Sequence, residues 1–164
     1  MKVINILVLG LGGNVSQGIL KAIKMSNLKT RIVGACISAE SLGLYMCDSA
    51  YISPYANSEN FIAWLIDICN IEEIDLVLTG VEEIIIEIAK NIDFFKEKTA
   101  ATFVSTSFMK LLIGQDKLKT AIWLKENGCN YPKFALASDK NQLNLLISET
   151  GYPLIAKPVN GKGS

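Results

Sequence analysis

The chain of 164 residues contains no histidine. That absence excludes Ser-His-Asp and Cys-His nucleophile machinery and removes imidazole as a metal ligand. Neither charge is in excess, because sixteen Lys and Arg balance sixteen Asp and Glu. A general nucleic-acid binder needs a basic face to displace counterions, so no nucleic-acid partner is expected. The four cysteines, Cys36, Cys47, Cys69 and Cys129, include no C-x-x-C pair, which leaves zinc and thioredoxin-like sites without support. Each lies in an apolar or helical setting, where buried free thiols are common. No signal peptide is read at the N-terminus, and a reduced, cytoplasmic protein is expected. The first apolar run, Val3 to Leu9, is far too short to span a bilayer and stops at glycines, so no membrane partner is expected.

What is present is apolar bulk and a strict rhythm. Half of the residues are hydrophobic, enough to bury a core and to exclude disorder. The length allows one domain, or one domain and part of another. The β-branched run from Val3 to Leu9 reads as a buried strand, and Val15, Ile19, Leu20 and Ile23 have the spacing of one helix face. Arg31 to Ile37 reads as a second strand, Ser41 to Cys47 as a short helix or turn, and Ala50 to Ser53 as a third strand. A helix over Ser58 to Asn70, a strand over Asp75 to Thr79, a helix over Glu82 to Lys96 and a strand over Ala101 to Val104 follow. Alternation of this kind predicts an α/β, Rossmann-like doubly wound parallel sheet over residues 1–105.

Beyond residue 105 the rhythm changes. Two helices are expected in succession, Thr106 to Ile113 and Asp116 to Asn127. Asp116 is a good N-cap for the second, and Gly128 a good residue to end it. A strand at Lys133 to Ala137, a helix at Lys140 to Thr150 and a strand at Tyr152 to Pro158 are expected next, and then a glycine-rich stretch. Two strands and a helix cannot bury both faces alone, so residues 106–164 read as an incomplete second domain of α+β type.

Four motifs carry chemical options. The turn Gly10-Leu11-Gly12-Gly13 sits where dinucleotide-binding proteins place G-x-G-x-x-G, but Val15 stands at the third glycine and Ser38 near the acidic position after strand two. Gly13 and Gly18 have P-loop spacing, yet Ile19 and Leu20 replace the phosphate- and magnesium-binding pair. The turn is therefore either close packing or a helix N-terminus facing an anion. Glu82 and Glu83 open a helix, where they complement its dipole or rim a ligand crevice. Gln115 to Thr120 reads as a cap followed by solvated lysines. Lys157 lies in an apolar expected strand ahead of Gly161-Lys162-Gly163-Ser164, an arrangement suited to a polyphosphate.

Taken together, these stretches resemble the ATP-grasp enzymes, especially the carbamoyl-phosphate synthase large subunit family. The resemblance rests on Leu9 to Gly13, on Cys47 to Pro54, on Asp116-Lys117 with the helix ending Trp123 to Gly128 and then Pro132, and on Gly151 to Pro158 with its glycine loop. It covers the whole chain. It implies a pre-ATP-grasp domain followed by the start of an ATP-grasp domain. It implies that Lys117 and Lys157 contact the nucleotide phosphates of ATP, and that Gly161, Gly163 and Ser164 begin the loop that closes over them. Gly10, Gly12, Gly13 and Glu82 would then lie on the second-substrate side. The implied reaction phosphorylates a carboxylate, bicarbonate or carbamate for attack by a nitrogen nucleophile, with magnesium held by residues beyond the loop. On this reading the chain is an N-terminal piece, inactive alone. Two other readings are a nucleotide- or NAD-binding regulatory module, and a homodimer paired through strand edges near the C-terminus.

Overall fold

The computed structural model describes residues 2–161. The chain divides into two compact units, residues 1–107 and 108–164. In the first, five strands form one all-parallel sheet: β1 (Ile4–Leu9), β2 (Thr30–Cys36), β3 (Ser49–Ile52), β4 (Leu76–Thr79) and β5 (Thr102–Phe103). Their order is β3-β2-β1-β4-β5, so the sheet is doubly wound outward from β1. The helices of this unit are α1 (Asn14–Met25), α2 (Phe61–Ile71), α3 (Glu82–Lys90) and α4 (Ile92–Lys98), with a 3-10 turn at Leu42–Met46.

The period-two alternation of the strands sends side chains to two separate cores. Leu7 and Leu9 of β1, Val33 and Ala35 of β2 and Val77 of β4 meet Phe61 and Leu65 of α2, Ile84 and Ile88 of α3 and Phe95 of α4. Ile6 and Val8 of β1 and Ile32 and Cys36 of β2 meet Leu11, Leu20 of α1 and Leu44 on the other face. β1 is central and covered on both sides, which is why its sequence is a continuous apolar run instead of an alternating one.

One expected helix is two. Glu82 to Lys96 breaks at Asn91, which leaves helical geometry at ψ 21°. Its side-chain Nδ2 donates to the Glu87 carbonyl at 2.9 Å and to Glu87 Oε1 at 2.9 Å. An Asn that bonds back to the preceding turn competes with the helical ladder, and the axis restarts at Ile92.

At the amino ends of the strands a polar network ties β2, β3 and the end of α2. The Arg31 guanidinium donates to Ser49 Oγ at 3.0 Å and pairs with the Glu72 carboxylate, which also accepts from the Tyr51 hydroxyl. The Tyr51 hydrogen bond, opposed by burial and aided by Arg31, holds the Glu72 carboxyl below its ordinary value.

The second unit holds α5 (Phe108–Gln115), α6 (Lys117–Glu126) and α7 (Lys140–Thr150). Asp116 caps α6 as expected, accepting from the Lys119 N–H at 2.9 Å, and Gly128 follows it at φ +68°. Asp139 caps α7 through the N–H groups of Asn141 and Gln142. The strands expected at Lys133 to Ala137 and Tyr152 to Pro158 are not formed: both stretches lack a ladder partner among the described residues. A strand exists only by pairing, and apolar content cannot supply the partner. Lys157 is accordingly exposed, not embedded in an apolar strand, and Tyr152 and Ile155 beside it are 76% and 82% exposed. Among the described residues the second unit has no strand, so the strand edges on which C-terminal pairing was expected are not formed there.

Candidate functional site

The carboxyl ends of the strands converge on a cavity of about 600 Å³. Four loops line it. Gly10, Gly12 and Gly13 follow β1, and Cys36, Ile37, Ser38 and Ser41 end and follow β2. Ser53 to Asn57 follow β3, and Val81, Glu83 and Ile84 follow β4. This is the crevice beyond the strand ends, next to the point where strand order reverses, that open α/β sheets offer to ligands.

The glycine turn is shaped by its neighbours. Gly10 has φ +72°, and a Cβ there would lie 2.3 Å from Val81 Cγ2. Only glycine meets both demands. Every N–H of the turn is already committed. Gly10 and Leu11 donate to the Ala35 carbonyl at 2.8 and 3.3 Å, and Gly13 donates to the Gly10 carbonyl at 3.0 Å. Gly12 donates to Cys36 Sγ at 3.2 Å. Gln17 Nε2 closes the turn from α1 by donating to the Leu11 carbonyl at 3.0 Å.

The loop after β4 is held as firmly. Thr79 Oγ1 donates to the Leu9 carbonyl at 3.1 Å and accepts from the Val81 N–H at 3.1 Å. The Gly80 N–H donates to the fully buried Ser16 Oγ at 2.9 Å. A Cβ at Gly80 would stand 2.4 Å from Val15 Cγ1, so α1 approaches this loop at backbone distance.

Cys36 forms one wall. Burial pushes its thiol up, but hydrogen bonds from the Ser38 backbone, the Ser41 hydroxyl and the Gly12 and Ile37 backbone outweigh that and hold it below the ordinary thiol value. Ser41 Oγ donates to Cys36 Sγ at 2.9 Å. Cys69, buried with no such donors, is pushed up to about 12.

Gly10, Gly12 and Gly13 line the cavity. Glu82 is not on its wall; Glu83 is, because one residue along a helix turns the side chain by about 100°. Cys36, Ile37, Ser41, Tyr55 and Asn57 were not singled out, although their places just after strands two and three are the signal that finds them. In the second unit, Lys117 and Gly161 come together: the Lys117 N–H donates to the Val159 carbonyl at 3.0 Å, and Lys117 Nζ to the Gly161 carbonyl at 3.1 Å. Lys157 makes no hydrogen bond or ion pair among the described residues. Gly163 and Ser164 lie outside the described residues.

A doubly wound parallel sheet with its crevice at the carboxyl ends is the fold of the N-terminal domain of ATP-grasp enzymes. The chain belongs to the family described as PylC-like, N-terminal domain, whose model matches residues 6–103, more than half of its length. Among solved structures it is similar to N5-carboxyaminoimidazole synthetase from Staphylococcus aureus complexed with ADP, at 18% identity and a TM-score of 0.68, covering 97% of this chain and 39% of that one. The biotin carboxylase domain of 2-oxoglutarate carboxylase from Hydrogenobacter thermophilus, in complex with MgADP, ADP and bicarbonate, matches at 18% identity and a TM-score of 0.64, covering 97% and 35%. An L-amino acid ligase from Bacillus licheniformis matches at 18% and 0.57, covering 98% and 38%. The chain thus spans less than two-fifths of the length of each. No curated protein sequence matches it. No described helix is long and apolar enough to cross a membrane.

Proposed function

We propose that the chain is the front part of an ATP-dependent ligase of the carbamoyl-phosphate synthase-like kind, working in the cytoplasm. Residues 1–105 would form the domain that receives the acceptor, and residues 106–164 would begin the ATP-handling domain. The single observation that supports this most is the joining of Lys117 to the Val159–Gly161 stretch by two hydrogen bonds. It gathers a cation and the first residues of a glycine-rich loop, the two elements a polyphosphate requires. Lys157, exposed and without a partner among the described residues, is the second cation.

On this reading Lys117, Lys157 and the amides of Gly161, Gly163 and Ser164 neutralise and orient the phosphates. The γ-phosphoryl group passes from ATP to an oxygen of a carboxylate, bicarbonate or carbamate, and ADP leaves. A nitrogen nucleophile then attacks the acyl carbon, and inorganic phosphate leaves as the C–N bond forms. Positioning and charge stabilisation account for such catalysis, so a chain without histidine is suited to it. Magnesium would neutralise the polyphosphate charge. Among the described residues no group of three or more His, Cys, Asp or Glu is placed to hold a metal ion, so none of these side chains is assigned to it.

The NAD-module alternative has less support at the glycine turn and after β2, although the N–H groups of Asn14, Val15 and Ser16 at the start of α1 are not engaged in hydrogen bonds among the described residues. A dinucleotide needs free turn amides for its pyrophosphate and an acid for its ribose. The four turn amides are committed, and Ser38 stands where the acid would be.

The test is titration calorimetry of the full-length protein with Mg-ATP. Lys157→Ala is expected to weaken binding by about tenfold, the loss of one charge-assisted phosphate contact. Because Lys157 is exposed, unfolding free energy should stay within about 0.5 kcal/mol of the parent. Tight NAD binding without ATP binding would overturn the reading. Residues 1–164 alone are expected to show no ATP turnover.

A further inference from the structure

The four free cysteines lie in different surroundings. Cys69 is sealed in the core, where burial pushes its thiol up to about 12. Burial also pushes the Cys47 thiol up. Cys129 is exposed, and no group donates to its sulfur among the described residues. Cys36 combines a place on the wall of the strand-end cavity with two donors to its sulfur.

The Gly12 N–H and the Ser41 hydroxyl reach Cys36 Sγ at 3.2 and 2.9 Å. A sulfur that receives two donors carries negative charge more readily than one in apolar surroundings. Gly12 precedes Gly13, the N-cap of α1, and the first N–H groups of that helix, on Asn14, Val15 and Ser16, make no hydrogen bond among the described residues. The partial positive charge of this helix end favours a thiolate further. Glu83 of α3, which has an interaction of its own, is the one charged side chain on the cavity wall. Tyr55 on that wall and Cys47 in the surrounding core cluster are the other titratable groups. Burial opposes charge on the Cys36 thiol, yet the donors hold it below its ordinary value.

Ser53 is a second and independent sign that something enters here. It is 7% exposed, lines the same cavity and donates its N–H to the Cys36 carbonyl at 2.9 Å. Its hydroxyl has no hydrogen-bond partner among the described residues, and it is not sealed off from the open space. A nearly buried hydroxyl without a partner costs stability that a small polar guest would restore.

We propose that Cys36 is a modification site, a nucleophilic thiolate that hydrogen peroxide entering the strand-end cavity oxidises to a sulfenic acid. The sulfur attacks one peroxide oxygen, and the S–O bond forms as the O–O bond breaks. The other oxygen leaves as hydroxide and takes up a proton to become water. Sulfur gives up two electrons, and the peroxide accepts them. The Ser53 hydroxyl is free to hydrogen-bond the peroxide. No disulfide partner is paired with Cys36, so two equivalents of a small thiol, passing through a mixed disulfide, return it to the thiol. The added oxygen changes the cavity wall, so the site makes the cavity redox-sensitive whatever its ligand, independently of the ligase reading.

Alkylation of the folded full-length protein with iodoacetamide, followed by peptide mass spectrometry across about pH 5 to 10, tests the thiolate. The half-maximal rate at Cys36 is expected at lower pH in the folded than in the urea-unfolded protein. Ser41→Ala should slow the reaction at neutral pH by about threefold or more and raise that midpoint, and Ser41→Thr should restore both. Hydrogen peroxide followed by dimedone should leave an adduct at Cys36 and none at Cys69. Ser53→Ala should slow adduct formation by about threefold and leave the alkylation midpoint in place. Alkylation of Cys36 only after unfolding, a midpoint at or above the unfolded one, an unchanged rate in Ser41→Ala, or no dimedone adduct at Cys36 would each overturn the proposal. Should Ser41→Ala not fold, the folded and unfolded parent still decide between the outcomes.

Discussion

The two units differ in how their apolar residues are used. In residues 2–107, Phe61, Phe95, Leu7, Leu9 and Val33 are fully buried between a sheet and its helices. In residues 108–161, Ala121 is the one buried residue among those described, although Trp123, Tyr131, Leu145 and Ile155 are no less apolar. The difference is one of partners, since hydrophobic composition is available to both. A central parallel strand brings its own crossover helices to cover it, whereas the second unit's three helices, two of them capped, and its two unpaired extended stretches have no sheet of their own among the described residues.

The largest effect is expected in the first core. Phe61→Ala should cost about 3–5 kcal/mol by urea unfolding, the range for truncating a buried aromatic. Leu145→Ala, at an exposed site in the second unit, should stay within about 0.5 kcal/mol. Equal costs would show that the second unit has a core of its own.

Gly10→Ala is next, at roughly 2 kcal/mol or more, because it adds a Cβ at positive φ and drives it into Val81. Thermal unfolding would read it, and a neutral result would mean that the β1 turn is looser than its geometry implies. Ser16→Ala removes the acceptor of the Gly80 N–H inside the fold and should cost about 1–3 kcal/mol. Hydrogen exchange should show Gly80 deprotected in that variant. Unchanged protection would count against the tie between α1 and the β4 loop.

The smallest effect is a pH dependence. The Glu72 carboxyl titrates lower folded than unfolded, so its pairing stabilises the protein above its ordinary value of 4.5. That contribution is lost as pH falls through the lower, folded value. Asp75, lowered by its hydrogen bond with Lys2, adds a slope of the same sign. Glu72→Gln should flatten the acid limb of stability against pH, and an unchanged limb would remove the Arg31–Glu72–Tyr51 network from the account.

Legibility in the sequence followed the same divide. The strands and α1 were readable because a buried parallel strand announces itself as a continuous β-branched run closed by glycine. α6 was readable because Asp116 and Gly128 are local signals acting on adjacent backbone; Asp139 and Gly151, which bound α7 in the structure, are signals of the same kind that were not used. Lys133 to Ala137 and Tyr152 to Pro158 were misread as strands, since pairing is non-local. The Asn91 break was missed because apolar spacing continues across it.

Local chemistry was enough to specify the strand runs, the helix caps and the glycine turn. Each of these depends on residues within a few positions of one another. Only the tertiary structure decided which residues face one another across the strand ends. Cys36 against Gly12, Ser16 against Gly80, and Glu83 instead of Glu82 on the cavity wall depend on strand order and on helix approach. Those are properties of separate segments packed together, and no local pattern encodes them.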